Sequence, residues 1–205
     1  MERIITFKRK NCYVGDDYYM EYISKDRMWD IENKVKNIIK DIDFKVNPCI
    51  DITKLVKSDN FTVTPTLMDE ETTGVLYVNG DNRMILVNKV FKNPDNEEDV
   101  VFKKSRFITA HEYGHYILHK EKGKPIYAHR DTYHRTEPIE LEADYFARSI
   151  LMPLDIFKKY YDILNNIGGN DRGFTTMVLS KIFNVTRNKV NKRMEDLLTL
   201  GLIKE

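Results

Sequence analysis

The spacing of apolar positions changes along the chain, and each change marks an element. From Asp26 to Ile42, Met28, Ile31, Val35, Ile38 and Ile39 recur at three- and four-residue intervals, which predicts a helix with one apolar face. Pro48 then breaks the chain, and Asp51 can cap a short helix through Thr53, Leu55 and Val56. In FTVTPTL, Phe61 and Val63 alternate with threonines, the pattern of an edge strand that tolerates Pro65. Val75 to Val78 and Met84 to Val87 read as two strands joined by the turn residues Asn79, Gly80, Asp81 and Asn82. The polar run at 92–99 predicts a surface loop, followed by a helix from Arg106 to His119 that is apolar around most of its circumference. KEKGKPIYAHRDTYHR reads as a further loop. Pro138 opens another helix, whose apolar spacing continues to Pro153. Two short helices, Val178 to Phe183 and Arg187 to Leu198, close the pattern, with Thr186 as the N-cap of the second. Residues 1 to about 25 read as an appended segment, with a short strand at Ile4, Ile5 and Phe7 and a cluster of tyrosines after it.

Composition narrows the partners. The 205 residues, 41% hydrophobic and 32% charged, suit one compact domain with a small appendage. Thirty-three basic against thirty-two acidic residues leave a net charge of +1, so no global field recruits nucleic acid or an anionic membrane. Cys12 and Cys49 form no metal spacing. Together with the absence of a signal-like or membrane-spanning apolar run, they predict a cytoplasmic protein without a disulfide scaffold.

The apolar helix from Arg106 carries the chemistry. His111, Glu112 and His115 form an H-E-x-x-H pattern, and residues four apart share a helix face, so both imidazoles can meet one zinc ion. Glu112 points differently and can take a proton from a water at that ion. A buried helix does not hold two histidines and a glutamate without compensation, because each unpaired polar group costs a few kcal/mol. A third protein ligand is needed, and ELEAD in the next helix offers Glu140 and Asp144 on one face. Glu140 is assigned to the metal, and Asp144 to a hydrogen bond that orients a ligand histidine. Glu142, directed elsewhere in this register, is the alternative ligand or a salt-bridged charge. A donor beside the metal is sought in the loop between the two helices, among Tyr127, His129, Tyr133 and His134. Tyr133 and His134 rank first because they lie nearest the second helix. His119, four after His115, can extend the histidine face, although packing or a surface hydrogen bond suits it better than a third contact from one helix.

HEYGHYILH followed by ELEADYFARSILMP resembles the ImmA/IrrE family of metallo-endopeptidases, whose pattern is H-E-x-G-H, then E-x-x-A-[N/D]-x-F-A and L-M-P. The resemblance is close from His111 to Pro153. It implies an α+β, zincin-like fold of the gluzincin type with a small antiparallel sheet, two metal-site helices and a helical tail. It also implies zinc held by His111, His115 and Glu140, Glu112 as catalytic base, and cleavage of a regulatory protein, typically a helix-turn-helix repressor. The expected division is an appended segment at 1–25, a metallopeptidase domain at 26–165 and a helical subdomain at 166–205. The N-terminal extension and the loop from Glu121 to Arg135 depart from the simplest family pattern and bear on substrate choice.

The tail supplies the rival reading. Two helices separated by NVT resemble a helix-turn-helix, and Arg187, Lys189, Lys192 and Arg193 can follow phosphates. On that reading the chain is a DNA-binding regulator, with residues 178–198 on the operator and zinc in a structural role. A structural site closes with four protein ligands, whereas a catalytic one keeps a position for water.

Overall fold

The structure, a computed structural model, describes residues 23–44, 47–69, 72–89, 98–120, 126–130, 138–168 and 171–204. The N-terminal segment through Tyr22, with its expected strand and tyrosine cluster, lies outside them, as do Tyr133 and His134.

The first apolar stripe forms α1, Lys25–Ile38, capped by the Ser24 side chain accepting from the Arg27 amide. It ends four residues before the expected Ile42. Asp51 accepts from the Lys54 amide and starts α2, Ile52–Ser58. Three strands follow: β1, Thr62–Thr66; β2, Gly74–Asn79; and β3, Asn82–Asn88. Gly80, at φ 60°, supplies the left-handed residue between β2 and β3. After α3, Glu98–His119, a fourth strand, β4, spans Ile126–Arg130. The helices α4, Pro138–Leu151, α5, Leu154–Gly168, α6, Arg172–Ile182, and α7, Arg187–Thr199, complete the chain.

Two expectations for the sheet are corrected. It has four strands in the order β1-β3-β2-β4, and β1 runs parallel to β3, so the sheet is mixed rather than antiparallel. The hairpin places β3, not β2, beside β1, and a strand joined through an intervening hairpin strand returns in the same direction. The segment read as a loop contains β4, paired antiparallel with β2 from Gly74↔Arg130 to Val78↔Ile126. Its order comes from that long-range ladder, not from local periodicity. Pro65 sits on β1 at one edge of the sheet, where a missing N–H is tolerated.

The sheet covers one side of α3, and α4 packs along another, with α1 and α7 against α4. Every residue of α3 from Arg106 to Tyr116 is buried, apolar and polar alike. The α3–α4 seam is tight because of Gly114: a Cβ there would lie 2.9 Å from Phe146 Cδ1 and 3.3 Å from the Ala143 carbonyl. Ala143 itself is fully buried.

In the tail, α6 begins at Arg172, six residues before the expected Val178, because Asp171 accepts from the amides of Gly173 and Phe174. Thr186 occupies the N-cap position of α7 without a side-chain capping bond. Leu179, Phe183, Val190, Met194 and Leu197 share one apolar cluster with Met28, Ile31 and Phe146. Arg193, fully buried, crosses from α7 to α1, where its Nη1 and Nη2 donate to Glu32 at 2.5 and 3.1 Å. Tyr145 and Ser149 of α4 donate to the same carboxylate, each at 2.8 Å. Burial opposes the charge of Glu32, but Arg193 and these hydroxyls outweigh it and hold the carboxyl below its ordinary value. Among the described residues, no helix is long and apolar enough to cross a membrane.

Candidate metal centre

His111 and His115 lie one turn apart on α3, and the seam fixed by Gly114 brings the first turn of α4 over them. His111 Nε2 is 3.0 Å from His115 Nε2 and 3.1 Å from Glu140 Oε2, while His115 Nε2 is 3.0 Å from Glu140 Oε1. These donor atoms all fall within 4.8 Å of one another. In a tetrahedral site with bonds of about 2.1 Å, donors stand roughly 3.4 Å apart. The three atoms are slightly closer than that, so the cluster is near the size the ion requires and the donor set suits zinc. Burial works against the charge of Glu140, but the hydrogen bonds and charges of His111 and His115 prevail and hold its carboxyl far below the usual range.

Asp144, one turn beyond Glu140, places Oδ1 2.8 Å from His111 Nδ1. An imidazole that donates from Nδ1 keeps Nε2 free to ligate. Behind Asp144, Lys189 of α7 sets its Nζ 3.7 Å from Oδ2 and 3.5 Å from the Phe107 ring centroid. Glu142 does not enter the cluster. Its Oε2 accepts from Arg27 Nη2 at 2.6 Å and lies 3.0 Å from His119 Nε2.

Glu112 is fully buried beside the histidines. The start of β2 presses on it: a Cβ at Gly74 would lie 2.8 Å from Glu112 Oε1 and 2.5 Å from Ile108 Cγ2. The sheet thus meets the glutamate at a position where only glycine fits without displacement.

Of the four loop candidates, Tyr127 and His129 lie on β4 opposite Tyr77 and Val75; Tyr133 and His134 are outside the described residues. Gly74 and Arg27, which come from distant segments, carry no signal in the sequence, Lys189 reads there as one of the phosphate-following cations, and His119 reads only as a packing or surface hydrogen-bonding residue. The four-residue step from His115 to His119 was the one visible signal.

On α7, Arg193 is buried against Glu32 and Lys189 is turned toward Asp144. Arg187 and Lys192 are the exposed members of the basic set.

The model of the IrrE N-terminal-like domain, of the M78 peptidases, matches residues 60–195. No curated protein matches the chain. The matched span runs from the start of the sheet to the last turns of α7 and contains the whole donor cluster, so this chain belongs to the IrrE N-terminal-like family of metallopeptidases.

Proposed function

We propose that this metallopeptidase is a zinc-dependent endopeptidase of the H-E-x-x-H type that cleaves a cytoplasmic regulatory protein, a helix-turn-helix repressor being the favoured class. The observation that carries the reading is the convergence of His111, His115 and Glu140 within 4.8 Å, next to a buried Glu112. Among the described residues the cluster has three members, the number that leaves a tetrahedral ion one open position.

Zinc bound there supplies Lewis-acid polarisation of a scissile carbonyl and lowers the pKa of water toward neutrality. Glu112 takes the proton of the attacking water and returns it to the leaving amine. Its burial keeps the carboxylate away from bulk solvent, and β2 at Gly74 limits its travel. Asp144 holds His111 in the tautomer that presents Nε2, with Lys189 balancing the charge of Asp144. Tyr133 and His134 remain the candidate donors to the developing oxyanion. The outer edge of β4 carries no further strand among the described residues, so an extended substrate can pair there.

The DNA-binding reading is weakened by the inward commitment of Lys189 and Arg193. The test is co-expression with repressor-like proteins encoded nearby, comparing wild type with Glu112→Gln. Cleavage of one of them by wild type alone is the expected result. Equal cleavage by both forms removes Glu112 as the base.

A further inference from the structure

Among the described residues, the Nδ1 of His115 faces an imidazole where that of His111 faces the Asp144 carboxylate. Its Nδ1 lies 3.2 Å from Nδ1 of His119, the next residue on the same face of α3. His119 Nε2 lies 3.0 Å from Glu142 Oε2, and that oxygen accepts from Arg27 Nη2 of α1 at 2.6 Å. The chain His115–His119–Glu142–Arg27 therefore joins α3 to α4 and α1 through side chains that are mostly buried, with His119 and Glu142 20% and 21% exposed.

Its polarity is fixed from the Arg27–Glu142 end. Arg27 only donates and an ionised Glu142 only accepts, so His119 Nε2 carries a proton to face Glu142. In a neutral imidazole that leaves His119 Nδ1 as an acceptor, and His115 Nδ1 then donates to it. A neutral His115 with its proton on Nδ1 has its lone pair on Nε2, the atom turned toward Glu140 and His111. The opposite polarity would put the neutral His115 proton on Nε2 and two lone pairs between His119 and Glu142. Of the neutral tautomer pairs, one satisfies both the His115–His119 and the His119–Glu142 contacts, and it is the one that leaves the Nε2 lone pair of His115 for a metal.

We infer that His119 is a positioning residue for the metal centre: it fixes the tautomer and ring orientation of His115 by accepting from Nδ1, and is itself oriented by Glu142 and Arg27. The inference rests on the reading that His111, His115 and Glu140 hold a metal ion. It adds a function for a residue outside the donor set and explains why Glu142, two residues from Glu140, is turned to α1.

The experiment is zinc competition against a chromophoric chelator, with the visible spectrum of the cobalt(II)-loaded protein. The proteins are the full chain, His119→Phe and His119→Gln. Phenylalanine keeps an aromatic ring in place but neither accepts nor donates; glutamine is not aromatic but can accept from His115 and donate to Glu142. The expected result is zinc affinity about 10- to 100-fold weaker in His119→Phe, as for other partners of metal-bound histidines, with an altered cobalt spectrum. In His119→Gln much of both should be restored. A packing role predicts the reverse order, with phenylalanine the milder change, and that order overturns the inference; so does wild-type affinity in both variants. Failure of the wild-type chain to bind zinc overturns the metal reading itself, a separate result. If His119→Phe does not fold, Glu142→Leu, which cuts the same chain one bond further out, must weaken zinc binding at least several-fold for the inference to stand.

Discussion

A methyl group at Gly74 reaches the proposed base directly. In Gly74→Ala the new carbon would lie 2.5 Å from Ile108 Cγ2 and 2.8 Å from Glu112 Oε1, so β2 or the glutamate must shift. Overpacking of this kind costs about 1–3 kcal/mol, and the same displacement applied to a catalytic group is worth roughly 10- to 100-fold in rate. Turnover should fall by that order while zinc affinity stays near wild type, because the atoms nearest the new carbon belong to Ile108 and Glu112 rather than to the donor residues; parallel cleavage kinetics and zinc titration would separate the two. At this scale the sequence was most readable where spacing alone decides geometry. His111 and His115 are four apart, and Glu140 and Asp144 are four apart, so their shared faces follow from helix periodicity. Gly74 was unreadable because nothing local says that a strand edge will meet a helix 38 positions later. Lys189 was read as part of a basic face because its approach to Asp144 depends on how α7 docks.

The seam between α3 and α4 depends on Gly114. Replacing a helical glycine normally gains about 1 kcal/mol of helix propensity, but Gly114→Leu drives a branched side chain into Phe146 and the Ala143 carbonyl. The steric cost should win. The melting temperature is expected to fall by several degrees, at roughly 2–4 °C per kcal/mol for a chain of this length. Zinc affinity should fall with it, because α4 carries Glu140; a melt with and without the metal would show both. Among the elements, α1, α2, the β2–β3 hairpin and the start of α4 were legible from apolar spacing, cap residues and turn residues. The β4 strand was not, since its sequence alternates weakly between polar neighbours and its pairing with β2 spans about fifty residues. The parallel β1–β3 pair was hidden for a similar reason: the hairpin declares its own direction but not which of its strands β1 will join.

Across the whole molecule, the buried Arg193–Glu32 pair ties α7 to α1 through α4. Glu32→Gln would leave the Arg193 charge buried without its counterion, a loss of about 3–5 kcal/mol, read as a lower denaturant midpoint at neutral pH. The pH dependence has a definite sign. Glu32 is held below its ordinary value of 4.5 in the folded state, so its contribution is fully present above that value and fades as pH falls through the depressed one. Wild type and Glu32→Gln should accordingly converge in stability below pH 4.5. The expected boundary at residue 166 falls inside α5, and the apolar cluster continues from α4 to α7 without interruption. The helical periods of the tail were legible; the partners of its charged residues were not. Turning Arg193 into the protein has a further outcome. A duplex laid along α7 would find Arg187 and Lys192 as the exposed cations, enough to displace counterions from about two phosphates, so that helix by itself offers an operator only a shallow electrostatic grip.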